Sequence, residues 1–249
     1  MRVGILETGD VHPNLRARHG DYPEMFEALL SAADPTLEFT TVRILEGARP
    51  AAPDAADAWL VTGSRHGVYD DLPWIDPLKT FLRDCVAAGV PVVGICFGHQ
   101  ILAEALGGRA VKSERGWGIG VQDYRILHRP SWMPDVPEHF AMRAVHQDQV
   151  VELPETATLL ARSDHCPIAA VVYGDPEAPV ALTVQPHPEF GPEFADDLIA
   201  LRRGTVFPED TADVAREGIH GEVHSVEWAR LIVDFLHRAH EARRAAWAQ

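Results

Sequence analysis

The sequence predicts an α/β fold: an open, mostly parallel central sheet with helices on both faces, a small antiparallel sheet, and a helical C-terminal extension. Three observations carry this. Short, near-continuous apolar runs, such as 58–63 and 90–95, read as strands buried on both faces. They alternate with stretches of helical apolar spacing, the pattern of parallel strands joined by crossover helices. From about residue 120 to 185 the runs shorten and follow one another between Pro, Gly, Asp and His, an antiparallel signature.

The elements follow in order. "RVGIL" (2–6) is an apolar first strand. "DYPEMFEALLSAA" (21–33) places Met25, Phe26, Leu29 and Leu30 at helical spacing, with Asp21 as N-cap. "LEFTTVRIL" (37–45) alternates like a strand, and "AWLVTG" (58–63) is a short buried one. "WIDPLKTFLRDCVAAG" (74–89) reads as a helix with Gly89 beyond its end. "VPVVGI" (90–95) is a strand and "FGHQILAEALGG" (97–108) a helix, which completes an open, flavodoxin-like half. "GVQDYRIL", "FAMRAVHQDQVVEL", "ATLLARS", "IAAVVYG" and "PVALTV" are the antiparallel strands. The tail is helical: 192–204, a polar segment near 208–218, and 225–246, where Trp228, Leu231, Ile232, Phe235 and Leu236 form one apolar face. With no repeat or linker, residues 1–249 read as one domain, 1–200 as core and 201–249 as helical extension.

Composition narrows the function classes. The 249 residues carry a net charge of −15 and no Lys/Arg cluster, which argues against nucleic acid and anionic membranes as partners. The first ten residues hold a short apolar stretch before Glu7, so no secretory leader is expected, and no apolar run approaches the ~18 residues of a membrane span. Three cysteines make no disulfide framework, and a reducing cytoplasm is the expected location.

The chemistry centres on "GVPVVGICFGHQILAEALGG" (89–108). A strand ends at one thiol, Cys96, between Gly94 and Gly98, and a helix follows at once. Such a turn exposes the side chain at the carboxyl edge of the sheet, and the glycines are needed because helix and strand nearly touch. The helix N-terminus favours thiolate over thiol. Gln100, four residues on, shares the helix face of Cys96 and reads as a substrate contact. The other reading of the same residues is a buried core cysteine with a helix-surface glutamine.

A thiol nucleophile needs a base. In "LTVQPHPEF" (182–190) His187 follows a strand, and Glu189 falls on the same side two residues later. Pro186 and Pro188 keep the segment extended. The carboxylate can hold one ring nitrogen while the other faces the thiol. Gly63, at the end of another strand, offers a backbone N–H that with that of Phe97 would form an oxyanion hole.

These pieces, in this order, resemble the class I (triad-type) glutamine amidotransferase family. Gly94, Cys96, Gly98 and Gln100 match its Gly-x-Cys-x-Gly-x-Gln motif, His187 and Glu189 its His-x-Glu, and Gly63 its oxyanion glycine. "AVHQDQV" (144–150) is similar to the segment that lines the family's glutamine pocket, which assigns His146, Gln147 and Asp148 to substrate binding. "TGSRHGVYDDLPWI" (62–75) and "ERGWGIG" (114–120) resemble the stand-alone branch, similar to the amidotransferase half of GMP synthase and including γ-glutamyl peptidases. The resemblance covers roughly residues 1–200. It implies attack by Cys96 on a γ-carboxamide, proton transfer by His187, orientation of His187 by Glu189, and a γ-glutamyl thioester.

Two departures from the family pattern matter. Only about 50 residues follow the motif, too few for a fused synthase, so any synthase would be a separate partner. Val145 stands where glutamine-specific members often place Ser or Asn, so the substrate expected is glutamine or a small γ-glutamyl compound, with the latter preferred. The competing readings are a glutaminase subunit serving a synthase and a silent binding module on the same scaffold; a homo-oligomer is compatible with each. No cofactor and no metal are expected. His220 and His224 in "HGEVH" have i, i+4 spacing but lack the Glu that zincins place after the first His, so a polar helix face is expected there. Cys85 and Cys166 read as core residues.

Overall fold

The computed structural model describes residues 1–247. Its central sheet has nine strands, joined by short turns or crossover helices. The first half comprises β1 (Arg2–Glu7), β2 (Glu38–Arg43), β3 (Ala58–Val61) and β4 (Val92–Ile95), all parallel, with β11 (Ala178–Val184) parallel to β4. β11 is the seam. On its other side β10 (Ala170–Asp175), β9 (Ala157–Arg162), β6 (Gly118–Ile126) and β7 (His139–His146) continue the sheet antiparallel, in the order β2-β1-β3-β4-β11-β10-β9-β6-β7. β5 (Arg109–Lys112) and β8 (Asp148–Glu152) form a separate antiparallel pair.

Both faces of the parallel half are buried, and its strands divide their side chains with period two. Val3, Ile5, Leu60, Val93 and Ile95 face a layer formed by α2 (Tyr22–Ala33) and α7 (Ser225–Trp247). Leu6, Trp59, Val61 and Val92 face α3 (Ile75–Ala87) and α4 (Phe97–Ala105). Asp21 caps α2 in a reciprocal arrangement with Glu24. The apolar stripe of α7, including Trp228, Ile232 and Leu236, packs into the core over β11 and against α2. α5 (Pro192–Arg202) and α6 (Glu209–Glu217) cover the carboxyl end of the sheet beside α1 (Pro13–His19).

Local differences from the sequence reading have local causes. "FAMRAVHQDQVVEL" is two strands, because the chain leaves the large sheet at His146 and Gln147 and pairs with β5 instead. α1 and β5 bury one side chain each, Leu15 and Ala110, too few to print a pattern. Residues 220–224 are a loop rather than a helix face, and the His224 ring accepts a hydrogen bond from the Ala141 N–H at 3.0 Å. Cys85 and Cys166 are buried in the core.

Candidate active site

Cys96 sits between β4 and α4 with φ 54° and ψ −100°, the only non-glycine residue at positive φ among the described residues. A cysteine gains nothing locally from that backbone, so the surroundings must impose it. Its N–H is tied to the Val184 carbonyl of β11 at 2.9 Å. The glycines leave no choice of path: a Cβ on Gly94 would lie 2.5 Å from the Gly98 carbonyl oxygen, and one on Gly98 would lie 2.5 Å from that of Val61. Helix and strands thus touch through bare backbone, and the thiol is pushed out at the sheet edge.

The His187 ring stands beside this turn. Its Nδ1 is 2.6 Å from Glu189 Oε1, and both side chains are buried. A Cβ on Gly63 would be 3.0 Å from His187 Cε1 and 3.8 Å from Cys96 Cβ, so these three residues share one small volume. Burial alone would favour a neutral imidazole, but Glu189 and then Cys96 outweigh it and hold the His187 pKa up to about 10. Phe190 stacks flat on the imidazole, with ring centres 3.9 Å apart and planes 6° from parallel, and Tyr22 stacks behind Phe190. Phe97 begins α4, where backbone N–H groups lack intrahelical acceptors, and Gly63 lies two residues beyond the end of β3, beside Cys96.

The site opens into a cavity of about 580 Å³ whose walls include Cys96, Gln100, Val145, His146, Gln147 and Asp148. The structure therefore gathers the residues picked out in the sequence. It also gives several of them structural partners. The Gln100 amide donates to the Asp148 carbonyl (3.0 Å) and to Gln185 Oε1 (3.1 Å), fastening β8 to α4. The Asp148 carboxylate accepts from the Tyr69 hydroxyl at 2.8 Å, which brings the "YDD" segment to the rim. Burial raises the pKa of Asp148, and Tyr69 pulls it back. His146 lies 3.2 Å through Nδ1 from the Asp148 carbonyl; burial, with His165 nearby, pushes its pKa down to about 3. Its neutral Nδ1–H donates there, which leaves Nε2 a buried acceptor without a protein partner.

Sequence reasoning missed the supports. Arg143, buried in β7, donates to the carbonyls of Ile219 and Phe190, while its own carbonyl accepts from the His187 N–H at 2.8 Å. Gln185 and Phe190 flank His187, and their proximity to it in sequence was the one available signal. Arg202, at the end of α5, also lines the cavity. Among the described residues a three-acid group, Glu7, Asp10 and Asp21, has oxygens close enough for a cation, but Arg16 and Arg43 already pair with it. No helix of the described residues is long and apolar enough to cross a membrane.

Comparisons with known proteins place the chain in a family. The family described as glutamine amidotransferase class-I matches residues 54–201. γ-Glutamyl peptidase 5 of Arabidopsis thaliana is 30% identical over 203 residues, 78% of this chain and 79% of that one. A glutamine-hydrolysing GMP synthase of Marinomonas is 40% identical over 109 residues, 41% of this chain but only 20% of that one. Among solved structures, a glutamine amidotransferase of Thermotoga maritima superposes with TM-score 0.72 at 20% identity, covering 96% of this chain and 98% of that one. The strained Cys96 turn, the buried His187–Glu189 pair and the sheet that carries them thus lie in a chain that belongs to the class I glutamine amidotransferase family.

Proposed function

We propose that the protein hydrolyses the γ-glutamyl amide bond of a small molecule by cysteine nucleophilic catalysis. The observation that carries this is the strained Cys96 turn facing an imidazole held by a buried carboxylate 2.6 Å away. His187, charged beside the sulfur, is the proton donor the reaction needs. Cys96 Sγ bonds to the γ-carbonyl carbon, and the backbone N–H groups of Gly63 and Phe97 take the oxyanion charge. The C–N bond then breaks as His187 gives its proton to the leaving amine. Water, deprotonated by His187, attacks the thioester and releases glutamate and the free thiolate. Glu189 holds the ring in the orientation that serves both halves. Gln100, His146, Gln147 and Asp148 form the wall for the glutamyl moiety.

The likeness to a γ-glutamyl peptidase over most of both chains supports this reading. The likeness to GMP synthase favours a second, a glutaminase that hands ammonia to a separate synthase, but it spans a fifth of that enzyme. The test is glutamate release from glutamine, γ-glutamyl amides and γ-glutamyl dipeptides by the wild type and Cys96→Ala. Release from a γ-glutamyl amide or dipeptide is expected, with a loss of at least about 10³-fold in the variant. Release that survives in Cys96→Ala would sink the mechanism. Turnover of glutamine alone, stimulated by a co-purifying synthase, would favour the second reading.

A further inference from the structure

Of the three arginine and lysine side chains that line the cavity around Cys96, namely Arg65, Lys112 and Arg202, only Arg202 is partly withdrawn from solvent. Arg202 is half-buried at the end of α5 and lines the cavity with Leu201, Thr205 and Val206. Among the described residues it has no carboxylate within ion-pair distance. Its neighbours differ. Arg203 is held by Asp213 (2.7 Å) and Glu209 (3.1 Å), Arg18 by Asp197 (2.6 Å), and Arg216 by Asp196 (2.6 Å). Arg143, buried in β7, also lacks a carboxylate but donates to the carbonyls of Ile219 and Phe190, whereas the Arg202 guanidinium has no hydrogen-bond partner among the described residues. Its partial desolvation is left uncompensated until an anion arrives.

The backbone there is fixed. The Arg202 carbonyl accepts from the N–H groups of Val206 (2.9 Å) and Phe207 (3.1 Å), so the end of α5 is a tight turn rather than a loose arm. The Arg202 charge is also felt at the centre of the site. Burial raises the pKa of the Tyr22 hydroxyl, and the strongest charge acting on that hydroxyl is Arg202, ahead of Glu189 and Cys96. Tyr22 stacks on Phe190, which stacks on His187. Arg65 and Lys112 also reach the cavity, but both are exposed to water, where a charge contact contributes little.

Asp148 accepts from Tyr69 and lies opposite Lys112 in the β5–β8 ladder, with Asp70 next to Tyr69 in the chain, while Arg202 reaches the cavity from α5. A volume near 580 Å³ is of the size that encloses a drug-sized ligand rather than a single amino acid. We propose that Arg202 is a specificity residue that binds a carboxylate on the leaving half of the γ-glutamyl substrate, so that the preferred substrates are γ-glutamyl amino acids or peptides with a free carboxylate beyond the scissile bond. This rests on the γ-glutamyl hydrolase reading and names the substrate class within it. A guanidinium matches a carboxylate with two parallel N–H donors, which a lysine cannot reproduce.

The test compares γ-glutamylglycine with γ-glutamylglycinamide, which differ only in that carboxylate. Wild type is expected to prefer the dipeptide in kcat/KM by about 10- to 100-fold, the worth of a charge-assisted hydrogen-bond pair, mainly through KM. Arg202→Gln should collapse that preference towards unity, and Arg202→Lys should restore part of it. Equal losses on both substrates and on glutamine would overturn the assignment, since they would place the Arg202 contact on the glutamyl half. A preference that persists in Arg202→Gln would overturn it as well. Binding gives the independent arm. Calorimetry of γ-glutamylglycine with Cys96→Ala and with Cys96→Ala/Arg202→Gln should show Kd about 10- to 100-fold weaker in the double variant. If wild type turns over neither compound, the hydrolase reading fails, and this Kd ratio alone decides Arg202: a ratio near unity, or no measurable binding to Cys96→Ala, overturns the proposal.

Discussion

On the β4 side of β11, main-chain geometry places the reactive groups. Cys96 is forced to φ 54° because Gly94 and Gly98 let strand and helix backbones meet, and Gly63 leaves room for the His187 ring. On the β10 side, buried polar side chains bonded over long sequence separations build the site. The segment leaving β11 ties Gln185 N–H to the Ala169 carbonyl and His187 N–H to the Arg143 carbonyl. Arg143 in turn braces Phe190 and Ile219, and Gln100 reaches across to β8 and Gln185. The difference teaches that one flank fixes where the thiol stands and the other fixes what shape the pocket has. Backbone contact tolerates no added atom, whereas a hydrogen-bond network loosens by degrees.

The largest effect should come from breaking the backbone flank. Gly98→Ala puts a methyl group 2.5 Å from the Val61 carbonyl oxygen, so α4 must move off β3 and loosen the core packed between them. A loss of about 3 kcal/mol or more in urea denaturation is expected, with activity lost alongside. A variant as stable as the wild type would show that the two flanks are held alike. Gln100→Leu probes the other flank more gently. It leaves the Gln185 amide oxygen without its donor and takes one of two side-chain donors from the Asp148 carbonyl, at about 1–3 kcal/mol, and should raise KM for a γ-glutamyl substrate more than it lowers kcat. A fall confined to kcat would move Gln100 from the pocket wall to the reacting atoms.

A change of pH, with no substitution, sharpens the comparison further. His99, on the β4 side, bonds Thr183 and is pushed down to about 4 by burial, and His146, on the other side, to about 3. Both are neutral in the native state, while the unfolded chain takes up protons below about 6.5. Stability should therefore fall as pH drops from about 6.5 towards 4, by up to about 1.4 kcal/mol per pH unit for each ring. His187 has the opposite sign: its contribution is present below about 6.5 and is lost as pH rises through about 10, so it does not offset the acid loss by growing there. Histidine NMR resonances of the native protein that titrate near 6.5 for these two rings would contradict the sign.

The sequence made the β4 flank readable because its determinants are local. Apolar runs of period two, the Gly-x-Cys-x-Gly spacing and the His-Pro-Glu tripeptide each lie within a few residues, and all reappear around Cys96, His187 and Gly63. The other flank was not readable in this way. Nothing near Arg143 or Gln185 announces a bond to Ile219 or Gln100, and the split of residues 139–152 into two strands follows from the edge that β5 offers, not from propensity. The tail shows the same division. The apolar stripe of α7 was legible, but its place in the core over β11 depends on α2 packing beside it.

By itself, then, the sequence determined the parallel half, the turn that holds Cys96, and the glycines that bring strand and helix together there, because covalent spacing and backbone sterics act over a few residues. Only the tertiary structure decided which side chains wall the pocket, why His146 is neutral, that Phe190 lies flat on His187, and that Arg202 lines the cavity with no carboxylate beside it among the described residues. Those properties depend on burial and on charges contributed by distant segments, and neither exists until the chain has folded.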